Sequence, residues 1–162
     1  MSLFLKNLLF TVLVPGTVAG YLPWLIVRRE VQVPSGWTFL AGAFFLVGGA
    51  TYLWCVWHFA NFGRGTPAPI DAPKKLVTRG LYGFIRNPMY VGVLMVILGW
   101  AALFQSSKVL TYAIGVGTFF HLFVVFYEEP HLASAFGTEY ARYRSQVGRW
   151  IPRIWRVRSK DS

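Results

Sequence analysis

Charged residues leave long stretches of this chain untouched. Leu8 to Val27 carries no charge and stops at Arg28-Arg29-Glu30. Trp37 to Phe62 forms a second run, with His58 as its only titratable group apart from Tyr52 and Cys55. Pro88 to Ser107 and Val109 to Tyr127 follow, parted only by Gln105-Ser106-Ser107-Lys108. Each run approaches the ~20 residues that cross a hydrocarbon core, so the pattern predicts four transmembrane helices, the last two in a tight hairpin. Beyond Glu129 the period changes. Leu132, Phe136, Tyr140, Tyr143 and Val147 fall on one helical face, with Glu139, Arg142, Arg144 and Arg149 mostly on others. That helix is expected to lie on the membrane surface, aromatic side toward the mouth of the bundle, with Trp150, Pro152 and Trp155 in a shorter interfacial segment. The expected fold is all-α and integral to the membrane: four spans and a C-terminal amphipathic helix covering the cytoplasmic mouth. One domain fills 1–162, divided into spans (1–62), loop (63–87), hairpin (88–127) and lid helices (128–162).

Composition agrees with this reading. Of 162 residues, 55% are hydrophobic, 18% aromatic and only 14% charged, with mean hydropathy +0.47. Such values exclude a disordered chain and argue against a water-soluble globule. The one cysteine, Cys55, excludes an internal disulfide and a multi-cysteine metal site, and no metal is expected.

The net charge of +10 is unevenly spread. Lys6, the 64–86 loop and the 142–160 tail hold thirteen Lys and Arg residues, whereas Arg28, Arg29 and Lys108 face the other side. The positive-inside rule then places both termini and the long loop in the cytoplasm, as in a prokaryotic inner membrane. Basic residues that flank spans suit anionic lipid, and no nucleic-acid partner is expected. With one Lys6, no small-residue cleavage site, and Pro15 and Pro23 inside the run, the first span is expected to remain uncleaved. Those prolines should bend it, neighbouring helices satisfying the freed carbonyls. Gly42 with Gly49, and Gly92 with Gly99, are seven apart and offer small faces for close helix approach.

Candidate chemistry gathers at the cytoplasmic ends. The loop opens on Gly63, Gly65, Pro67, Pro69 and Pro73 and should be irregular there. Pro88 suits the first turn of the third span, which leaves Arg86 and Asn87 beside unpaired backbone N–H groups. They form either an anion site or a snorkelling arginine with an N-cap asparagine. Glu128 and Glu129 stand at the edge of the hydrocarbon layer, where carboxylates must be paired or used. Helical geometry turns them about 100° apart. His121 lies two turns deeper, on roughly the face of Glu129.

Two strings go further. Thr78-Arg79-Gly80-Leu81-Tyr82, followed by Arg86-Asn87-Pro88-Met89-Tyr90-Val91-Gly92, resembles the first signature of the isoprenylcysteine carboxyl methyltransferase and phospholipid methyltransferase superfamily. Glu128-Glu129, Leu132, Phe136-Gly137, Tyr140, Tyr143, Arg149 and Ile151-Pro152 are similar to the second. The resemblance runs from Leu76 to Pro152. It implies an integral-membrane enzyme without a Rossmann fold that uses S-adenosyl-L-methionine and releases S-adenosyl-L-homocysteine. The cofactor would lie at the cytoplasmic end of the last spans, under C-terminal helices, and a lipophilic acceptor would enter from the lipid. By position, Tyr82, Arg86, Asn87, Tyr90 and Gly92 fall in the first cofactor-binding motif, and Glu128 and Glu129 in the second. Eukaryotic members usually have histidine where this chain has Asn87, and they have more spans.

A prenylcysteine-like carboxylate would need no base, whereas a phospholipid amine or a thiol must lose a proton. His121, His131 and Glu128 are the nearby groups able to take it, with Glu128 and His121 the candidate catalytic residues. Glu129 is expected to serve binding more than folding. A small transporter subunit and a non-enzymatic membrane scaffold are the other readings of four glycine- and proline-rich spans; neither accounts for both signatures.

Overall fold

The computed structural model describes residues 9–30, 36–59, 61 and 76–153. Among these residues all regular structure is helical, apart from one isolated bridge. Helix α1 spans Leu9–Val27, α2 Trp37–His58, α3 Pro88–Phe104 and α4 Ser107–Phe123. A π-helical segment, Val124–Glu128, carries α4 without a break into α5, Glu129–Gln146. Three helical rods are long and apolar enough to cross a membrane: α1, α2 and the continuous one that begins at Ser107. The fourth expected span, α3, is apolar but has 17 residues. The apolar part of the long rod ends at Tyr127, and Glu128 and Glu129 open its polar end. Lys6, the 62–75 part of the loop and Trp155 lie outside the described residues.

The outward surfaces of these helices are greasy. Phe39, Leu46, Leu53, Phe119, Phe126 and Tyr127 are all exposed, as lipid-facing residues would be.

Proline dictates the shape of α1. Residues Gly16–Tyr21 are π-helical, entered through Pro15, and the next turn begins at Leu22 with Pro23 inside it. The Leu22 amide donates to the Thr17 carbonyl, and Pro23 has no N–H to donate. The carbonyl of Val18 therefore lacks a helical partner, and that of Ala19 lacks its usual donor four residues on. Tyr112 Oη donates to the first at 2.8 Å and Trp100 Nε1 to the second at 3.0 Å. The bend is thus cross-linked to both helices of the hairpin.

The closest packing joins α2 and α3, through the expected glycines of α3 but not those expected on α2. A Cβ on Gly48 would lie 2.8 Å from the Gly92 carbonyl oxygen, and one on Gly92 would lie 2.9 Å from that of Gly48. Gly99 receives the Phe45 ring. Gly42 and Gly49 meet nothing within 4 Å, so the paired face is Gly48 with Gly92. A spacing of seven defines a face without saying which face is turned inward, and Gly48 had no partner at that spacing.

The α3–α4 turn is tighter than its sequence boundary suggested. Gln105 takes the left-handed conformation (φ 49°), Ser106 precedes α4, and Lys108, already on α4, pairs with Glu30 at 3.1 Å.

Candidate functional site

Pro88 stands at the start of α3 as expected. Asn87 occupies the N-cap position, yet its side chain does not cap; Nδ2 donates instead to the Arg149 carbonyl at 3.2 Å. The Arg86 amide donates to the Gly148 carbonyl at 2.8 Å, and Ile85 and Gly148 form a parallel bridge. The exit of α5 is thus stitched to the entrance of α3.

The apolar positions of the stripe share one cluster: Tyr140, Tyr143 and Val147 are buried together, with Leu76, Leu132 and Phe136 packed around them. Tyr143 Oη donates to the Tyr82 carbonyl at 2.7 Å. Within α5, Gly137 breaks the helical geometry (φ 49°, ψ −120°), a kink invisible in the hydrophobic spacing.

Glu129 is the centre of the charge cluster and only 6% exposed. Arg149 grips it through two bonds, Nε to Oε1 at 2.6 Å and Nη2 to Oε2 at 3.0 Å. Arg86 Nη1 lies 3.0 Å from Oε1 and also donates to Tyr140 Oη at 3.1 Å. Arg144 stands at 4.0 Å. Burial alone would raise the carboxyl's pKa, but the Arg149 hydrogen bonds and the charges of Arg86, Arg149 and Arg144 outweigh it and hold the group below its usual value. Three cations around one anion leave an excess of positive charge.

That excess faces a cleft of about 1020 Å³ walled by Arg86, Tyr140, Arg144, Arg149, Trp150 and Arg153 among others, with no carboxylate in its lining. Arg86 Nε is buried without a partner among the described residues. A cavity of about 20 Å³ lies behind the cleft, between Arg86, Asn87, Glu128, Glu129 and Tyr140.

Glu128 points elsewhere. Tyr90 Oη donates to its Oε2 at 2.8 Å. The Tyr90 ring packs on Phe120 (centroids 4.7 Å apart) and against Trp150 at 6.3 Å. Trp150 Nε1 donates to His121 Nδ1 at 3.1 Å, on an exposed part of α4.

The structure therefore gathers Arg86, Asn87, Tyr90, Glu128 and Glu129 at one mouth, with His121 reached through Trp150. Tyr82 and Gly92 are placed differently. Tyr82 is buried with Cys55 and Val77, and Gly92 is taken up by its contact with Gly48, so neither lines the cleft. His131 stacks on Tyr127 at the exposed start of α5. Arg144, Arg153 and Trp150 were not among the sequence candidates; the density of arginines after Tyr140 was the available signal.

Residues 37–139 match the family described as phospholipid methyltransferase. The chain is 34% identical over 127 residues to methanethiol S-methyltransferase 1 of Bradyrhizobium diazoefficiens, a match covering 75% of this chain and 40% of that protein. It is 36% identical over 80 residues to protein-S-isoprenylcysteine O-methyltransferase of Schizosaccharomyces pombe, covering 49% and 34%. Against methanethiol S-methyltransferase of Pseudomonas deceptionensis it is 31% identical over 126 residues, covering 75% and 44%. The chain matches less than half the length of each of these relatives.

Proposed function

The chain belongs to the phospholipid methyltransferase family, and from that premise we propose that it transfers a methyl group from S-adenosylmethionine to a lipophilic acceptor at the cytoplasmic face of a membrane. The observation that carries this reading is the arginine-walled cleft backed by Glu129. Its size lies at the top of the roughly 300–1,000 Å³ usual for small-molecule sites.

The donor set fits a zwitterionic nucleoside. Arg144, Arg149 and Arg153 would take its carboxylate, because Glu129 neutralises only part of their charge. Arg86 has an unmet donor at Nε, Asn87 keeps its side-chain oxygen, and Trp150 offers an aromatic face. When bound, S-adenosylmethionine would supply an electrophilic methyl group on a sulfonium sulfur. The protein's own part is to hold and desolvate the reacting groups, and such positioning supplies much of the acceleration of a displacement.

The exposed aromatic and aliphatic residues of α4 favour entry of the acceptor from the bilayer. We read α1 to α4 as four spans, with α3 accommodated by its position between α2 and α4, and both ends of the chain in the cytoplasm. Purified protein should bind S-adenosylhomocysteine in a calorimetric titration and transfer labelled methyl groups to one of a carboxylate, an amine or a thiol. Failure to bind the nucleoside would refute the reading.

A further inference from the structure

Trp150 belongs to two surfaces at once. Its neighbour Arg149 is bound to Glu129 at the polar mouth. The indole nevertheless reaches His121, eight residues before Glu129 on the same rod and roughly 12 Å deeper along the helix axis. Nε1 donates to His121 Nδ1 at 3.1 Å, and the two rings lie 6.3 Å apart. Tyr90 of α3 meets the indole as well, also at 6.3 Å. His121 is exposed, flanked by the exposed Phe119 and Leu122 on the greasy outer surface of α4. The indole also lines the arginine-walled cleft, whereas no described residue of α4 does so.

We propose that Trp150 is the partition between this cleft and the bilayer, latched by its hydrogen bond to His121, and that the methyl acceptor reaches the cleft by displacing it. The methyltransferase reading above is needed only for what travels through; the partition itself is drawn from the contacts.

The bond accounts for both residues. A histidine facing hydrocarbon is costly unless a partner takes up its polar atoms. An indole N–H in the same layer also needs an acceptor. Each satisfies the other here, on a surface otherwise made of aliphatic and aromatic side chains.

The latch is weak and its mounting is firm. One hydrogen bond contributes only a modest net free energy. Ring contacts at 6.3 Å stand toward the loose end of the range for aromatic pairs. The backbone beside the indole is fixed: Arg149 grips Glu129, and the Arg149 carbonyl accepts from Asn87 Nδ2 at 3.2 Å. Opening therefore asks only the Trp150 side chain to turn and leaves the charge cluster intact. An acceptor moving along Phe119 and Leu122 meets the indole before anything in the cleft, and its apolar part takes over the contacts that the ring gives up.

The test uses the full chain in lipid nanodiscs with a reporter thiol, Ala141→Cys, on the wall of the cleft. Cys55 is fully buried, and the chain without the reporter gives its background. Two maleimides serve as probes, one sulfonated and confined to water, the other carried on the acyl chain of a phospholipid. The reporter chain should react readily with the sulfonated probe and slowly with the lipid-borne one. His121→Phe and Trp150→Phe each delete the latch and keep a ring. Each should raise the lipid-borne rate about tenfold, the ratio set by one hydrogen bond, and change the sulfonated rate by less than about twofold. The double variant should match either single one, because both remove the same bond. Trp150→Ala, which removes the partition itself, should give the fastest lipid-borne reaction. Either single variant suffices if the other misfolds. Lipid-borne labelling as fast with the latch as without it, a parallel rise for both probes, or additive effects in the double variant would each overturn the proposal. Calorimetry with S-adenosylhomocysteine on the unsubstituted chain tests the methyltransferase reading separately: absence of binding would refute that reading and leave the labelling pattern standing.

Discussion

Arg149 donates to both carboxylate oxygens of Glu129, at 2.6 and 3.0 Å, across the whole length of α5. Bidentate pairs of this kind combine charge with fixed geometry. The pair ties the entrance of α5 to the chain just past its exit, and Arg86 extends it to the mouth of α3. The same carboxylate that offsets the cleft's charge therefore also holds the mouth together.

Removing that anion should damage stability. Glu129→Gln leaves the 9%-exposed side chain of Arg86 facing Arg149 with only a neutral amide between them. Breaking a buried pair from one side costs about 3 kcal/mol or more, so thermal unfolding in detergent should shift clearly downward. Unchanged unfolding would mean that the charge of the carboxylate does not hold the two guanidinium groups together.

Acid should act in the same direction. The Glu129 carboxyl is held below the ordinary carboxylate value of 4.5 by its arginines, so its contribution is present above pH 4.5 and fades as the pH falls through the lower folded-state value. Stability of the wild type, followed by thermal unfolding against pH, should fall below that point, and Glu129→Gln should show a flatter profile.

The α2–α3 contact separates glycines that the sequence treats alike. Gly48→Ala should cost roughly 1–3 kcal/mol, because the added carbon meets backbone 2.8 Å away. Gly49→Ala, with open space, should be neutral or slightly stabilising, as alanine favours the helix by about 1 kcal/mol. Paired unfolding measurements check both.

The bend in α1 yields a coupling test. Trp100→Phe deprives the Ala19 carbonyl of its donor and should cost about 1–3 kcal/mol. In a Pro23→Ala background an amide at position 23 can serve that carbonyl, so the same substitution should cost less. A double-mutant cycle with no coupling would mean that the indole bond does not compensate for the proline.

Topology can be read with reporters. Fusions after Ser162 and within 64–75 should report the cytoplasm, and one at 31–35 the opposite side. A C-terminal reporter on the outer side would refute the four-span reading.

Much of this was legible because it is local. The charge-free runs coincide with α1 to α4 within a few residues, Pro88 opens α3, and the stripe from Leu132 to Val147 is the buried face of α5. What escaped depends on partners far along the chain. Nothing near Gly48 marks it as the contact rather than Gly42 or Gly49. The bonds from Tyr112 and Trp100 to the α1 carbonyls, and from Trp150 to His121, join residues that no periodicity links. Gly137 reads as an ordinary helical glycine until its positive φ is seen.

The bond from Asn87 to the Arg149 carbonyl joins positions 62 residues apart, and the Arg86–Gly148 bond closes beside it. A ribosome makes Arg86 early and Gly148 only after both helices of the hairpin. While the nascent chain is still threading into the bilayer, Arg86 has its carboxylate in view but neither the strap nor the second guanidinium. Insertion and assembly of the mouth are therefore separate events in time. A chain stalled before Arg149 would sit in the membrane with its helices formed and its cleft still without a wall.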